Sequence, residues 1–361
     1  MIVTFVHSVC QTDQFRVQLR CRNFADAINR MGWHTANLLD INSFVQNTPD
    51  AQKICAGSDL LIVHRYLYGP ILRAVQYWKA RDKKVIVDFD QAVNYLAPDI
   101  PGYSFWIEGV PLEVCVGNET NKPEHAIDPI PLEQFKWGLG LVDAAIVPSS
   151  RLADDWAHHT NILEIPDYLN TDQYPALKQD HETEIWIGLC NNAKYNNLTN
   201  SGLIKALENV CLAHPEVKLV LCDLELVHAG LLNVPESQVI IYPQNYFEDW
   251  ANILPKLDIG LAPLSGDYDL RSSWITLLEF MVSKIPWIAS DLASFRPLSS
   301  YGTLVQNSSD EWEAAISNTI DNLYAYRKKA AGEPFLFALS QDVNENIDKI
   351  LKFYTSIINQ A

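Results

Sequence analysis

Two phosphate-binding motifs are missing from this chain of 361 residues. Neither G-x-G-x-x-G nor G-x-x-x-x-G-K-[ST] occurs anywhere in it. Both motifs use glycine where backbone N–H groups must approach a phosphate closely. Their absence argues against a nicotinamide dehydrogenase and against a P-loop kinase.

Long hydrophobic runs are also missing. No stretch approaches the 18 or so continuous apolar residues that a membrane-spanning helix needs. The N-terminal sequence MIVTFVHSVC has no basic residue before its apolar run and passes directly into polar residues. This pattern favours a buried first strand over a signal peptide. We therefore expect a cytoplasmic protein without a transmembrane segment.

Cysteine is sparse and irregularly placed. The chain has 7 cysteines, an odd number, and no C-x-x-C pair. Neither a disulfide framework nor a zinc site is indicated by such spacing. We predict buried free thiols in a reducing compartment.

Basic residues are few compared with acidic ones. The chain has 27 Lys and Arg against 44 Asp and Glu, a formal net charge of −17. Proteins that bind long stretches of nucleic acid or anionic lipid normally present a basic face. The charge therefore argues against nucleic acid as a partner.

Short apolar segments alternate with helical patterns along both halves of the chain. Fully apolar segments of four or five residues are typical of parallel strands that helices cover on both faces. The alternation predicts α/β domains with doubly wound sheets. The predicted strands are Ile2–Val6, Leu60–Val63, Val85–Val87, Ala144–Val147 and Ile162–Ile165, then Ile185–Leu189, Lys218–Cys222, Val239–Tyr242, Ile259–Ala262 and Trp287–Ala289.

A polar stretch without periodicity, residues 171–184, separates the two halves. We predict one Rossmann-like domain over residues 1–172 and a second over residues 185–335. A helix in residues 336–361 is expected to pack back towards the first domain. Two such sheets would face a central cleft at the carboxyl ends of their strands, the usual ligand site in this architecture.

Residues 259–291 read as a strand, a polar loop, a helix, a breaker and a strand. Free N–H groups at the start of such a helix favour a phosphate. A carboxylate one or two turns further, here Glu279, can accept hydrogen bonds from both hydroxyls of a ribose. The alternative is a solvated Glu279 with serines that only cap the helix. The candidate ligands are Arg271, Ser272, Ser273, Thr276 and Glu279.

The same segment resembles the donor-binding region of GT-B glycosyltransferases, and in particular retaining glycosyltransferase family 4. LLEFMVSKIPWIASD matches the family's helix and following strand, with Lys284 where glycine is usual. SDLLIVHRY…KKVIVDFDQ, LVDAAIVPSSRLADDW and HPEVKLVLCD resemble further family segments in the same order. The resemblance implies a GT-B fold and retaining transfer from a UDP- or GDP-linked sugar. It also implies that Glu279 binds the ribose and that no metal or cofactor is needed.

Three departures from the family pattern concern the donor site. Arg271 stands where many members have the first glutamate of E-x7-E, and Thr276 stands where many have lysine. LCNNAKYNN replaces a glycine–arginine start and leaves Lys194 as the cation for the diphosphate. Tyr242, at the end of a predicted strand, completes the predicted donor site.

The first half offers candidates for catalysis and acceptor binding. Asp88 and Asp90 end a predicted strand, where a carboxylate could polarise the acceptor hydroxyl or stabilise positive charge on the sugar. The alternatives are a metal site, which the resemblance argues against, or a loop cap. His64 is a third catalytic candidate. Arg65 could hold the acceptor or a phosphate, or pair with Asp88. Arg16 matches an arginine common among similar enzymes, and the alternative is an ordinary surface arginine on a helix.

Residues 91–131 form a long aromatic stretch without periodicity, including Tyr95, Tyr103, Phe105 and Trp106. These rings either stack on a sugar or pack the loop onto its domain. Between Asp88 and Pro131 there is one lysine and no arginine. We therefore expect a small-molecule or glycan acceptor. Two alternatives are a phage-type enzyme that glycosylates modified nucleic-acid bases and a degenerate protein that binds nucleotide sugars without turnover.

Overall fold

The computed structural model describes residues 1–111, 126–175, 181–189, 195–222, 232–242 and 247–359. The chain forms two compact units. Unit 1 comprises Met1–Tyr168 and Val343–Ala361, and unit 2 comprises Leu169–Asp342. None of the helices in these described ranges is long and apolar enough to cross a membrane.

Unit 1 is built on a parallel sheet of six strands in the described part of the chain, in the order β2-β1-β3-β4-β5-β6. Its central strands are wholly buried, as their apolar sequences predict. The edge strand Thr35–Asp40 was not predicted, because only two of its six residues are buried and TANLLD has no continuous apolar run. The strands are β1 (Ile2–His7), β2 (Thr35–Asp40), β3 (Leu60–His64), β4 (Lys84–Asp88), β5 (Ala144–Val147) and β6 (Ile162–Glu164).

Helices surround this sheet. Residues 14–31 form one helical run that contains a π-helical turn, Gln18–Arg22. The last helix, Val343–Ile358, packs against the helix Asn23–Met31, and its apolar side chains, such as Ile350 and Tyr354, join the core of unit 1. The helices are α1 (Gln14–Val17), α2 (Asn23–Met31), α3 (Ile41–Gln46), α4 (Pro49–Gly57), α5 (Gly69–Lys79), α6 (Tyr103–Trp106), α7 (Pro131–Leu139), α8 (Ser150–Trp156) and, after unit 2, α17 (Val343–Ile358).

Unit 2 repeats the architecture with a parallel sheet in the order β12-β11-β10-β7-β8-β9 among its described residues. Two of its helices are separated by Gly202, whose φ of 78° is left-handed. The strands are β7 (Ile185–Leu189), β8 (Val217–Leu221), β9 (Val239–Ile241), β10 (Ile259–Ala262), β11 (Trp287–Ser290) and β12 (Thr303–Val305). The helices are α9 (Tyr195–Ser201), α10 (Leu203–Ala213), α11 (Phe247–Ile253), α12 (Gly266–Asp269), α13 (Ile275–Val282), α14 (Ser309–Asp321), α15 (Leu323–Ala330) and α16 (Glu333–Ser340).

The cysteine prediction is wrong at one position. Cys10 is disulfide-bonded. Cys21, Cys55, Cys211 and Cys222 are free thiols, and the first three are buried as predicted.

Candidate functional site

A network of arginines and aspartates occupies the carboxyl edge of the sheet in unit 1. The register of β3 and β4 sets His64 beside Asp88, and Asp90 follows two residues later. The π-helical turn Gln18–Arg22 contributes Arg20, and the segment after β6 contributes Asp167. The parallel sheet therefore brings together residues from four separate parts of the sequence.

Asp88 is held by Arg20. Nε and Nη2 of Arg20 donate to the two carboxylate oxygens of Asp88, each at 3.0 Å. Nη1 of Arg20 donates to Asp167 Oδ1 at 3.1 Å and to the carbonyl of Ile165 at 2.9 Å. Arg20 is fully buried, and burial raises the pKa of Asp88 to about 6 although Arg20 opposes the shift. This geometry favours a structural role for Asp88, and neither Arg20 nor Asp167 was identified from the sequence.

Arg65 pairs with Asp90 and Asp13 rather than with the side chain of Asp88, the partner suggested from the sequence. Its Nε donates to Asp90 Oδ1 at 2.7 Å and its Nη1 to Asp13 Oδ1 at 2.5 Å. Tyr66 donates to the other oxygen of Asp13 at 2.9 Å. Burial alone would raise the pKa of Asp90, but Arg65 and Arg16 outweigh it and hold that pKa well below its ordinary value.

The backbone of Arg65 is strained. Its φ of 67° is in the left-handed region, which costs a non-glycine residue on the order of 1 kcal/mol. The residue is fixed by its N–H, which donates to the carbonyl of Asp88 at 2.8 Å, and by its two carboxylate partners. The surrounding contacts therefore determine where this guanidinium lies.

Arg16 is the most accessible of the three arginines in the network. Its side chain is 24% exposed, against 0% for Arg20 and 6% for Arg65. Nε of Arg16 lies 3.1 Å from Asp90 Oδ2, and Nη1 lies 3.6 Å from Asp167 Oδ2. Of the two residues predicted to hold an acceptor or a phosphate, Arg16 is the one that solvent reaches.

His64 is fully buried, and neither of its ring nitrogens has a hydrogen-bond partner within the described residues. Burial lowers the pKa of His64 to about 3, so the ring is neutral at physiological pH. A general base must reach the proton that it abstracts, directly or through one water. The enclosure of this ring favours packing over proton transfer, and its catalytic role stays a prediction.

The network has no excess of positive charge. Three guanidinium groups face four carboxylates across the contacts described above. An anion-binding site needs uncompensated cations or free N–H groups. The members are Arg16, Arg20 and Arg65, with Asp13, Asp88, Asp90 and Asp167.

Two rings of the aromatic stretch pack against Tyr66, which donates to Asp13 of this network. Trp106 stacks on Tyr66 with ring centroids 5.9 Å apart and planes at 8°, and Phe105 meets Tyr66 edge to face at 6.1 Å. Phe105 and Trp106 are both buried, so for these two rings packing of the loop is the correct interpretation. Tyr95 and Tyr103 are half-buried.

Glu279 lies on α13 in unit 2, after strand β10 and the loop that contains α12. It is 1% exposed, so the interpretation as a solvated helix residue is wrong. Tyr174 donates its hydroxyl to Glu279 Oε1 at 3.1 Å. Tyr174 was missed because it lies in the polar stretch without periodicity, residues 171–184, that separates the two halves of the chain.

The loop before α13 carries the other predicted ligands. Arg271 is buried, and its Nη1 donates to the carbonyl of Asp267 at 2.6 Å. Ser273 is buried, and its Oγ accepts from the N–H of Ile275 at 3.1 Å. The N-cap residue of α13 is Trp274, and its side chain makes no capping hydrogen bond. Thr276 is buried on α13 and Ser272 is half-buried.

The two remaining donor candidates lie elsewhere. Tyr242 follows β9, and Lys256 Nζ lies 3.2 Å from its hydroxyl and 4.7 Å from its ring centroid. The ring of Trp186 is 6.3 Å from that of Tyr242. Lys194 lies outside the described residues.

Sequence comparison finds no matching family model and no matching curated protein. Structure comparison does find similar folds. Sucrose-phosphate synthase from Thermosynechococcus elongatus superposes with a TM-score of 0.66 at 11% identity, covering 99% of each chain. HepE from Anabaena, solved with UDP and glucose, gives 0.61 at 12% identity, covering 98% of this chain and 99% of that one.

A third similar structure is named as an epimerase. UDP-N-acetylglucosamine 2-epimerase from Neisseria meningitidis, bound to UDP-GlcNAc, gives a TM-score of 0.54 at 11% identity, covering 98% of this chain and 99% of that one. At such identities the comparisons establish architecture. The two parallel sheets with flanking helices form the GT-B fold. Membership of glycosyltransferase family 4 stays a prediction.

Proposed function

We propose that this chain is a glycosyltransferase that moves a sugar from a nucleoside-diphosphate sugar to an acceptor hydroxyl, with retention of configuration. The GT-B fold and the resemblance of its sequence segments to family 4 support this proposal. UDP and UDP-GlcNAc occur in the names of similar structures, which favours a UDP-linked donor, and GDP remains the second candidate.

The buried carboxylate of Glu279 is the observation that carries the proposal. Burying a carboxylate is costly unless hydrogen bonds compensate for lost hydration. Here it lies inside α13, one turn after the loop of Arg271 and Ser273, where the helix start favours a phosphate. A nucleoside diphosphate would place its phosphates at this loop and its ribose hydroxyls at Glu279.

The charge of the network in unit 1 indicates which class of acceptor this unit would bind. Because the carboxylates there outnumber the guanidinium groups, a neutral small molecule or a glycan suits this edge of the sheet better than an anionic acceptor. Asp90 is the better candidate for interaction with the acceptor hydroxyl. Its Oδ2 makes no hydrogen bond within the described residues and lies 3.1 Å from Nε of Arg16, the most accessible arginine of the network. Asp88 uses both of its oxygens on Arg20.

We also expect metal-independent transfer without a cofactor. Asp88 and Asp90 are the two carboxylates whose spacing suggested a metal, and both are neutralised by arginines. The positive charge that the leaving diphosphate needs would then come from protein groups, among them Arg271 and Lys194.

The test is a product analysis. The purified chain is incubated with UDP-glucose, UDP-GlcNAc and GDP-mannose, with and without simple glycans, in buffer with EDTA and in buffer with magnesium. We expect release of the nucleoside diphosphate and a new α-glycoside, identified by mass spectrometry and by its anomeric proton signal. Binding without turnover would identify a degenerate nucleotide-sugar-binding protein, and an isomerised sugar nucleotide would identify an epimerase.

A further inference from the structure

Tyr174 reaches Glu279 across 105 positions of sequence within unit 2. Its hydroxyl donates to Glu279 Oε1 at 3.1 Å, and the two residues are 7% and 1% exposed. A hydrogen bond to a buried charged group is among the stronger ones in a protein. This contact therefore restricts how the carboxylate can rotate.

The position of the Tyr174 ring is itself fixed. A short 3-10 turn, Thr171–Gln173, precedes it, and the N–H of Tyr174 donates to the carbonyl of Thr171 at 3.2 Å. The N–H and the hydroxyl of Thr171 both donate to Asp342 Oδ2, at 2.8 and 2.6 Å. The hydroxyl of Tyr174 is thus presented to Glu279 by a fastened segment, as the support of a precise binding group requires.

Tyr174 stays a donor over the physiological range. Burial raises the pKa of Tyr174 well above its ordinary value, and the neighbouring Glu279 raises it further. The phenol therefore keeps its proton and can only orient the carboxylate.

We propose that Tyr174 is a positioning residue of the donor site. It holds the Glu279 carboxylate in the plane in which it accepts the ribose hydroxyls, and it thereby sets the preference for a ribonucleotide over a 2′-deoxyribonucleotide. The inference rests on the proposed function, in which Glu279 binds the ribose. A site built to hydrogen-bond a hydroxyl discriminates strongly against an analogue that lacks it, and the discrimination depends on the acceptor's orientation.

The test is calorimetric titration of UDP, GDP and their 2′-deoxy counterparts into the wild type and Tyr174→Phe. We expect the wild type to bind one ribonucleotide about tenfold or more tighter than its deoxy counterpart. In Tyr174→Phe the ratio should fall to about threefold or less. Tyr326→Phe is the matched control, because it removes a hydroxyl that accepts from Asn318 on the surface of the same unit, and its ratio should equal that of the wild type.

A second variant covers the case in which Tyr174→Phe does not fold. Thr171→Val keeps the phenol but removes one bond to Asp342, so it should lower the ratio part of the way. If Tyr174→Phe and Thr171→Val both keep the wild-type ratio of ribonucleotide to deoxyribonucleotide affinity, the inference is overturned, even if both bind more weakly. The proposed function would still stand. A wild type that binds none of the four nucleotides, or that binds ribo and deoxy forms equally, removes the ribose role of Glu279 as well.

Discussion

Arg20 compensates two carboxylates in the interior of unit 1, and Arg20→Met would leave Asp88 and Asp167 without it. Removing one member of a buried ion pair costs about 3–5 kcal/mol, because the remaining charge stays desolvated. We expect the free energy of unfolding, measured with urea, to fall by that amount.

Arg296→Met is the matched control for this prediction. Arg296 pairs with Asp291 at 2.8 Å, but its side chain is 64% exposed, so water and salt weaken the pair. Its urea midpoint should equal that of the wild type. If Arg20→Met also kept the urea midpoint of the wild type, the network of unit 1 would not stabilise the fold.

His64 makes a prediction about pH. In the unfolded chain its pKa is near the ordinary 6.5, and in the folded chain burial lowers it to about 3. Between these values the unfolded state binds a proton that the folded state does not, so this group lowers stability as the pH falls from 7 towards 3. The loss at pH 5 is on the order of 2 kcal/mol.

His64→Leu removes this contribution. We expect the difference in unfolding free energy between pH 7 and pH 5 to be smaller in the variant than in the wild type by about that amount. The pKa of Asp88 is raised in the folded chain, so this group increases stability as the pH falls. Asp88 is present in both proteins, and its contribution therefore cancels in the comparison. If the unfolding free energy depended on pH in the same way in both proteins, His64 would not be a buried neutral ring.

The sequence names candidate residues where a local motif carries them, and the role of Glu279 stays a prediction. Glu279 stands in LLEFMVSKIPWIASD, which can be recognised without knowledge of the fold. Tyr174 has no such context, since its partner is 105 positions away. The same holds for Arg20, whose two carboxylates lie 68 and 147 positions further along the chain. Contacts of this kind depend on the tertiary structure.

At the scale of elements, strand β10 and helix α13 are in very close contact. A Cβ added to Gly260 on β10 would lie 2.6 Å from the ring of Phe280, the neighbour of Glu279 on α13. Gly260→Ala should therefore displace the helix, lower the unfolding free energy by about 1–3 kcal/mol and weaken nucleotide binding.

Gly57→Ala provides the control for this prediction. It lies at the end of α4, where an added Cβ meets nothing within 4 Å, so stability and binding should stay at wild-type levels. Urea denaturation and calorimetry measure the two quantities. A Gly260→Ala variant with unchanged stability and affinity would show that the close contact does not fix the position of α13.

Elements were predictable to the residue where a strand is apolar throughout and central in its sheet. Ala144–Val147, Ile185–Leu189 and Ile259–Ala262 have the predicted bounds. The edge strands Thr35–Asp40 and Thr303–Val305 were missed, because half-exposed strands have no continuous apolar run.

The end of α13 has a backbone conformation that glycine adopts without cost. Lys284 has a φ of 57°, in the left-handed region, and stands where the family that the sequence resembles usually has glycine. Its ammonium lies 4.4 Å from the ring centroid of Phe335. This cation–π contact offsets part of the backbone cost.

At the scale of the whole molecule, the net charge of −17 bears on the acceptor. A duplex-binding enzyme would need several Lys or Arg contacts to phosphates, and its affinity would fall steeply with salt. We expect no shift of single- or double-stranded DNA or RNA in a gel titration at low salt. Tight, salt-sensitive binding that is lost on substitution of Lys or Arg in unit 1 would instead support the enzyme that glycosylates nucleic-acid bases.

The class of fold was predictable because strands and helices alternate in both halves. The order of strands within each sheet was not predicted, since it depends on which helices cross over which edge. The disulfide at Cys10 was not predicted either, because pairing cannot be derived from scattered cysteines.

The central claim is that Glu279 binds the ribose of a nucleotide donor, and calorimetry of UDP and GDP with Glu279→Ala tests it most directly. Glu236→Ala, which changes an exposed glutamate of unit 2, is the control. We predict that Glu279→Ala weakens nucleotide binding by about 1.5–3 kcal/mol, the range for hydrogen bonds to a charged group, while Glu236→Ala binds as the wild type does. Equal affinity in Glu279→Ala and the wild type, or no binding of either nucleotide by the wild type, would contradict the claim.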